Sequence, residues 1–276
     1  MVESPGLDRP PLWYAVRADN LPAIKELLAA SADIQLRNKY RETVLYEAAY
    51  HSSVAVVQAL VQAGANLHAR SNSNCRVIYR AAEAGRVDTV QWIRKDHYFT
   101  PNMSGGHGWT PLHYTAYADQ TAMAKCLLEL GTDPTIRSKP GGRTTLHYAA
   151  CLERTETGEW KDDATLVRDL IEYGADVNLP ADARCLSTSS ETGERLHELL
   201  FDPRPDEPSP ELVYPIHCSV LSRMQSKVEA LLEAGADIHA RTSVHGSTPL
   251  LLAAQRSSPE MVRFLLRMGA DPVTRC

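Results

Sequence analysis

Aliphatic residues recur along the chain at a nearly constant interval. Five of the six steps between successive positions are 33 or 34 residues long, and the step from the fifth position to the sixth is 70. The seven positions are Leu12, Leu45, Ile78, Leu112, Leu146, Ile216 and Leu250. In six of the seven cases a turn-like triplet, typically Gly-Ala-Asp, follows 19 residues later. A fixed period of this length indicates a protein built from stacked structural repeats.

The stretch 110–133 shows what one repeat predicts. Thr110 is a suitable N-cap, and Pro111 fits the first helical turn because its missing N–H would be unpaired there anyway. Small and apolar residues then recur at helical spacing until Asp119 interrupts them, and a second apolar face follows. Gly131 suits the left-handed position at the end of a helix. Each repeat is therefore predicted to form two short antiparallel helices.

These motifs resemble the ankyrin repeat. The helix-start motif stands as Thr110-Pro111-Leu112-His113, Thr144-Thr145-Leu146-His147, Tyr214-Pro215-Ile216-His217 and Thr248-Pro249-Leu250-Leu251. The resemblance implies an all-α fold, an ankyrin-repeat solenoid of paired antiparallel helices with finger-like loops. After a tail at 1–9, the array would cover 10–276 in seven units, about 10–40, 41–73, 74–106, 107–139, 140–181, 213–243 and 244–276, with insertions near 153–165 and 182–212.

In the ankyrin family the first helices and the fingers line a concave face on which partners bind. Carried onto this chain, the predicted groove residues are Tyr50, His51, Arg80, Tyr114, Tyr117, Tyr148, Leu152 and Arg256, with Glu47 and Glu83 beside them. A row of tyrosines is the kind of rigid, amphipathic surface that anchors interfaces. The alternative is that the rings fill gaps between repeats, and the sequence leaves both interpretations open.

Basic residues recur in the predicted fingers. The finger residues expected to contact a partner are Arg37, Arg70, Trp109, Arg137 and Arg241, and further basic positions are Lys39, Arg41, Arg76, Lys139, Arg143 and His245. A basic rim would favour an acidic protein partner, mainly by steering its approach. The alternative is a solvated rim that serves solubility.

The motif histidines and the cysteines are expected to have structural roles. His113 and His147 fall on neighbouring helices about 8–10 Å apart, which is too far for both to bind one zinc ion. In the family this histidine forms hydrogen bonds that hold repeats together. His147 and Cys151 are four residues apart, a spacing at which a base can activate a thiol, but nothing resembling an oxyanion site accompanies them. We therefore expect no metal, no cofactor and no catalytic residue.

Both insertions belong to the fifth repeat. The first adds nine residues within Glu153 to Thr165 and carries Trp160. The second, within 182–212, has eight acidic and three basic residues and so accounts for the whole net charge of −5. Two hypotheses follow: the acidic segment competes with a partner for the basic rim, or it is a solvated excursion. An enzyme or small-ligand site in this irregular region is the alternative to a binding module.

The last predicted helix has more apolar residues than a single buried face needs. Val262, Leu265 and Leu266 suit the inward face, while Met261, Phe264 and Met268 recur as a second stripe; in the sixth repeat Lys227, Glu229 and Glu233 stand at polar positions instead. This pattern predicts that the C-terminal helix mediates self-association, continues the array or docks on a scaffold.

Composition and charge exclude several classes of function. A net charge of −5 argues against a nucleic-acid binder, and no apolar run approaches the length of a membrane span. The start of the chain lacks a signal-peptide pattern, and the six scattered cysteines suit reduced thiols in the cytoplasm or nucleus. The sequence therefore predicts a non-enzymatic protein-protein interaction module that uses the concave face of a repeat array.

Overall fold

The computed structural model describes residues 9–96, 100–151, 162–182, 212–255 and 258–273, and it divides into two compact units. The N-terminal unit (Met1–Gly131) contains α1 (Pro11–Arg17), α2 (Leu21–Ala29), α3 (Val44–His51), α4 (Val54–Gln62), α5 (Val77–Glu83), α6 (Val87–Asp96), α7 (Pro111–Tyr117) and α8 (Thr121–Glu129). The C-terminal unit (Thr132–Cys276) contains α9 (Thr145–Cys151), α10 (Thr165–Glu172), β1 (Ala181–Asp182), β2 (Leu212–Val213), α11 (Pro215–Leu221), α12 (Gln225–Glu233), α13 (Pro249–Gln255) and α14 (Pro259–Arg267).

Helices pair within each repeat and stack on the equivalent helices of the next. In the N-terminal unit α1, α3, α5 and α7 pack side by side, as do α2, α4, α6 and α8. In the C-terminal unit α9, α11 and α13 form the row of first helices, and α10 packs on α12. The predicted solenoid of antiparallel helix pairs is confirmed in both units.

The periodic aliphatic residues form the core between these rows. Six of the seven are buried, and Leu250 in α13 is half-buried. Small residues beside them, such as Ala48, Ala82 and Ala116, are fully buried and let neighbouring helices approach closely.

Turn chemistry in the fourth repeat agrees with the prediction. Thr110 caps α7, and its side chain and that of His113 form a capping box. Asp119 adopts a positive φ of 53° between α7 and α8, where the N–H of Gln120 donates to the carbonyl of Thr115 at 2.8 Å. Gly131 follows α8 with φ of 82°, a conformation that disfavours any residue with a Cβ atom.

A short antiparallel β-ladder joins the two ends of the second predicted insertion. The antiparallel pair β1–β2 aligns Ala181 with Val213 and Asp182 with Leu212, so the two residues that bound the predicted insertion are paired strand residues. The N–H of Asp182 also donates to the carbonyl of Gly141 at 2.8 Å. Residues 152–161 and 183–211, which include Leu152, Trp160 and most of both predicted insertions, lie outside the described residues, as does Arg256.

The predicted second apolar stripe on the last helix is wrong. Met261 and Phe264 are buried with Leu265, whereas Leu266 and Met268 are 41% and 42% exposed. The helix is therefore rotated relative to the expectation, because α14 uses Met261, Phe264 and Leu265 as its inward face. What is left on the surface is a smaller apolar area around Leu266 and Met268.

Candidate functional site

Three successive first helices of the N-terminal unit place polar and aromatic side chains on one surface. Tyr50 and His51 end α3, Arg80 and Glu83 lie in the second half of α5, and Tyr114 and Tyr117 lie in α7. Tyr117 is exposed and the other five are half-buried. We call this set the aromatic patch: Tyr50, His51, Arg80, Glu83, Tyr114 and Tyr117. All of these residues except Glu83 were predicted to bind the partner.

Arg80 joins the first two helices of the patch. Its guanidinium carbon lies 4.1 Å from the ring centroid of Tyr50 and 5.4 Å from that of Tyr46. Its Nη1 donates to Oε2 of Glu83 at 2.6 Å, and its buried Nε has no hydrogen-bond partner. Cation–π contacts of this kind stabilise by about 0.5–1 kcal/mol each at partly exposed sites. The guanidinium is thus held in one orientation at the surface.

Tyr114 and Tyr117 rest on a buried tryptophan. The ring of Trp109 lies 5.0 Å from that of Tyr114 and 5.9 Å from that of Tyr117, and Tyr114 also packs 5.5 Å from Tyr79. The hydroxyl of Tyr114 meets Sγ of Cys75 at 2.8 Å. Burial, reinforced by Cys75, raises the pKa of Tyr114. This end of the patch is therefore neutral, aromatic and firmly supported from below.

The expectation that Trp109 contacts a partner from a finger is wrong. Its side chain is only 4% exposed, because the large apolar indole packs beneath Tyr114 and Tyr117 instead of facing solvent. It supports the patch and does not belong to its surface.

A buried carboxylate organises the opposite end of the patch. Oε1 of Glu47 lies 3.3 Å from Arg9 Nη1, 3.4 Å from Arg17 Nε and 3.5 Å from His51 Nε2. Glu47, expected on the groove surface, is therefore buried among cations. Burial lowers the pKa of His51, and Arg17 and nearby arginines add to this effect while Glu47 opposes it. His51 is accordingly neutral near pH 7.

Arg86 fixes the end of α3. Its Nε donates to the carbonyl of Tyr50 at 3.1 Å and its Nη2 to that of His51 at 3.0 Å. These are carbonyls of the last helical turn, which have no partner within the helix, and a cation there also suits the helix dipole. The backbone that carries Tyr50 and His51 is thereby held in place.

Tyr148 belongs to the C-terminal unit. Its hydroxyl is 3.2 Å from Oγ of Ser138, and the guanidinium of Arg143 lies 5.6 Å from its ring. Arg143, expected in the basic rim, is buried instead, and its Nε and Nη2 donate to the carbonyl of Asp182 at 3.3 and 3.2 Å. It braces the β1 strand, so it is not a solvent-facing finger residue.

The four finger arginines expected to contact a partner are exposed; three of them donate to backbone carbonyls, and Arg70 donates to a side-chain amide. Arg37 Nη1 reaches the carbonyl of Arg70 at 3.4 Å, and Arg241 Nη1 reaches that of Gly246 at 3.2 Å. Arg137 donates to the carbonyls of Gly142 and Pro180. Arg70 Nη1 contacts Asn74 Oδ1 at 2.5 Å. In each finger the guanidinium therefore ties loop segments together, a role that the spacing did not reveal.

The motif histidines cap the N-termini of their helices and form hydrogen bonds with backbone groups. In α7, Nδ1 of His113 lies 3.2 Å from the N–H of Thr110 and 2.9 Å from its Oγ1. Nε2 of His217 in α11 meets the carbonyl of Ala240 at 3.1 Å. His147 makes the same capping contacts to Thr144 at 3.3 and 2.9 Å.

Burial and the neighbouring Arg143 lower the pKa of His147 to about 3. The backbone of Val213 and Leu179 opposes this shift. The imidazole is therefore neutral throughout the physiological pH range.

The C-terminal unit contains a buried polar cluster that the sequence did not predict. Lys227, expected at a polar surface position of α12, is buried, and its Nζ donates to the carbonyl of Ala149 at 2.9 Å. Ser219 Oγ and Ser222 Oγ donate to the next two carbonyls, those of Ala150 and Cys151, at 3.4 and 3.3 Å. The repeat pattern gave no signal for this arrangement, because the three donors come from α11 and α12.

The described residues show neither a membrane span nor a metal-binding cluster. None of the helices in that part of the chain is long and apolar enough to cross a membrane. Among the same residues no group of three or more His, Cys, Asp or Glu side chains is arranged to hold a metal ion.

Paired helices stacked in rows, with anchored aromatic and arginine side chains on the first helices, define a helical repeat protein of the interaction-module class. The family described as ankyrin repeats (3 copies) matches residues 12–103, 78–181 and 161–276. The chain therefore belongs to the ankyrin-repeat family.

Its relatives include much longer proteins. The chain is 27% identical over 211 residues to the transient receptor potential cation channel subfamily A member 1 of Drosophila melanogaster, covering 60% of the chain and 17% of the channel. It is 30% identical over 149 residues to the mitochondrial disaggregase of Bos taurus, covering 53% of the chain and 22% of that protein. The chain thus spans about a fifth of the length of these curated relatives.

The chain is also similar to a solved ankyrin-repeat structure and, over a short stretch, to an enzyme. The ankyrin repeat domain of human ASB11 superposes with a TM-score of 0.69 at 20% identity, covering 96% of this chain and all of that one, which shows a shared fold. The NAD-capped RNA hydrolase NUDT12 of Macaca fascicularis is 36% identical over 64 residues, or 23% of the chain and 14% of the hydrolase. Ankyrin repeats are typically non-enzymatic protein-interaction modules, although some proteins that contain them are enzymes.

Proposed function

We propose that this chain binds a protein partner through the aromatic patch of its N-terminal unit. The observation that carries the proposal is the support of the patch on three first helices. Arg80 stacks on Tyr50 and donates to Glu83, and Trp109 packs beneath Tyr114 and Tyr117. Half-buried tyrosine and arginine side chains held from below lose little conformational entropy on binding and dominate many interfaces. In the ankyrin family this helix row faces the partner.

The charge around the patch favours an acidic partner segment. Four arginines lie in or beside the patch, Arg9, Arg17, Arg80 and Arg86, against Glu42, Glu47 and Glu83. The N-terminal unit as a whole has 13 basic and 12 acidic residues, whereas the C-terminal unit has 16 and 22. Carboxylates approaching the N-terminal unit are therefore steered by a weak positive field while the other unit repels them.

The same proposal makes the chain a binding module without catalysis of its own, located in the cytoplasm or nucleus. Cys75, Cys126, Cys151 and Cys218 are free thiols, which suits a reducing compartment. The catalytic activities of longer proteins that share these repeats are attributed to those proteins and not to this chain.

The proposal is tested with two matched tyrosine variants of the full chain. The partner is first identified by native co-purification and then produced on its own for titration calorimetry. Tyr117→Ala removes a ring that is 39% exposed in the patch, and Tyr14→Ala removes one that is 59% exposed on α1, outside it. We expect Tyr117→Ala to weaken binding by about tenfold, which is about 1.4 kcal/mol, and Tyr14→Ala to leave the affinity within about twofold.

Salt dependence tests the acidic nature of the partner. The affinity of the unmodified chain should fall as ionic strength rises, because exposed charges are screened beyond the Debye length. Equal effects of the two tyrosine variants would place the partner elsewhere on the chain. An affinity independent of salt would contradict the acidic segment while leaving the patch itself in place.

A further inference from the structure

Two cysteines from different repeats meet in the core of the C-terminal unit. Cys151 is the last residue of α9 and Cys218 lies in α11, the next first helix in the row. Cys218 is 1% exposed and packs with Ala150 and Val213, and Cys151 packs against this group from a half-buried position. A hydrogen bond joins the two thiols.

The backbone that carries Cys151 is held by side chains from the repeat of Cys218. The carbonyls of Ala149, Ala150 and Cys151 accept hydrogen bonds from Lys227, Ser219 and Ser222. The last carbonyls of a helix lack partners within that helix, so these three donors cap α9 and fix its distance from α11. The contact between the thiols is therefore a fixed feature of the fold.

The hydrogen bond between the thiols shifts their pKa values in opposite directions. It lowers the pKa of Cys218, and Arg143 adds to the effect against the opposing cost of burial. The same hydrogen bond and burial raise the pKa of Cys151, while Arg143 and Lys227 oppose them. Cys218 is thus the more acidic thiol of the pair.

We propose that Cys151 and Cys218 form an oxidisable dithiol that reacts with a small hydroperoxide, such as hydrogen peroxide, and closes to a disulfide between α9 and α11. Cys151 is the sulfur attacked first, because it has exposed surface and Cys218 has almost none. Cys218 resolves the oxidised sulfur from within the core.

The reaction balances with peroxide as the oxidant. The Cys151 thiol first gives its proton to solvent, and its thiolate attacks one peroxide oxygen, so that the O–O bond breaks and a sulfenic acid and hydroxide form. The hydroxide takes a proton from solvent and leaves as water. Cys218 sulfur then attacks Cys151 sulfur, the thiol proton of Cys218 passes to the departing oxygen, and the S–O bond breaks with release of the second water. Two thiols and one peroxide give one disulfide and two waters.

The disulfide would tie the ends of the segment 152–217 together covalently. Closing a long loop restricts the unfolded chain and so stabilises the folded state. Oxidised protein should therefore melt at a higher Tm than reduced protein, and dithiothreitol should reverse the shift. The inference concerns the C-terminal unit and does not depend on partner binding by the aromatic patch.

The experiment treats the full reduced chain with one equivalent of hydrogen peroxide under native conditions and then alkylates the remaining thiols. We expect two fewer alkylated cysteines and, in an unreduced digest, a peptide pair joined through Cys151 and Cys218 that has lost two hydrogen atoms. Cys126→Ser, which alters a buried thiol of the other unit, should leave this product unchanged.

Single variants separate the two roles. Cys218→Ala should stop the cross-link and leave a sulfenic acid on Cys151 that dimedone traps, whereas Cys151→Ala should leave Cys218 reduced. Circular dichroism confirms that each variant is folded. The proposal is overturned if both cysteines stay alkylatable in the native chain, if the cross-link forms only in denaturant, or if dimedone labels Cys218 in Cys151→Ala as readily as Cys151 in Cys218→Ala.

Discussion

The guanidinium of Arg80 lies over the ring of Tyr50, 4.1 Å from its centroid, and connects α5 to α3 at the surface. Its Nη1 at the same time donates to Glu83 at 2.6 Å. A planar cation can stack and donate together, whereas a lysine ammonium cannot reproduce both contacts. Arg80 is therefore as much a structural link between repeats two and three as a surface charge.

Replacing Arg80 with Lys should lower the free energy of unfolding by about 1 kcal/mol, because the stacking on Tyr46 and Tyr50 is lost although the charge remains. Urea unfolding followed by circular dichroism measures the change. Arg94→Lys, at an exposed position of α6, is the matched control and should have almost no effect. If both variants unfold at the same urea concentration, the stacked geometry contributes nothing to stability.

Replacing Lys227 with Met should destabilise the chain by about 1–3 kcal/mol. The variant keeps the volume of the side chain but leaves the carbonyl of Ala149 buried and without its donor. Lys125→Met, at an exposed position of α8, should be close to neutral. An unchanged or increased stability of Lys227→Met would mean that the cost of burying the ammonium exceeds the value of the cap.

Acid should destabilise the fold through His147. Its pKa is about 3 in the folded chain and about 6.5 when unfolded, so the unfolded state binds the proton first as pH falls. The free energy of unfolding should decline between about pH 6.5 and 3, with His147 contributing about 1.4 kcal/mol per pH unit within that window.

His147→Gln isolates this contribution because it removes the titrating group. Its urea-unfolding stability should depend less steeply on pH than that of the unmodified chain, and the two curves should run parallel above pH 7. Parallel curves down to pH 4 would show that the imidazole is not held neutral by burial.

On the last helix, Phe264→Ala should cost about 3 kcal/mol of stability, since it empties a buried position, whereas Met268→Ala should change stability by less than about 0.5 kcal/mol. Sizing chromatography of the Met268 variant also tests self-association: if α14 mediates it through its exposed residues, the oligomer should weaken. If Phe264→Ala leaves the free energy of unfolding unchanged, Phe264 faces outward, as the sequence predicts.

The period of aliphatic residues was sufficient to predict the helix pairs, because each repeat uses the same local chemistry. Thr110, Pro111 and Gly131 have roles that depend on the backbone of their own repeat, and the structure confirms them. The groove residues Tyr50, Arg80 and Tyr117 were also recoverable, because the family resemblance assigns these positions of the first helices to the concave face. Their role in binding stays a prediction.

The errors arose where packing between side chains, within a repeat or between repeats, decides whether a residue is buried. Trp109 was expected in a finger but packs under Tyr114, and Lys227 was expected in solvent but caps α9. The inward face of α14 was misassigned because its apolar residues cover more than one face, and only the packing against α13 selects among them. No periodic pattern encodes such choices.

The sequence by itself determined the ankyrin fold, the number and order of the helix pairs outside the insertions, and the candidate surface on the first helices. Only the tertiary structure decided that Arg80 stacks on Tyr50, that three donors from the sixth repeat cap α9, and that Cys151 meets Cys218. The physical reason is the distance along the chain between the groups that interact: helix formation and the capping of helix N-termini depend on residues within one repeat. Burial, pairing and ionisation depend on which side chains the stacking of repeats brings within hydrogen-bonding distance.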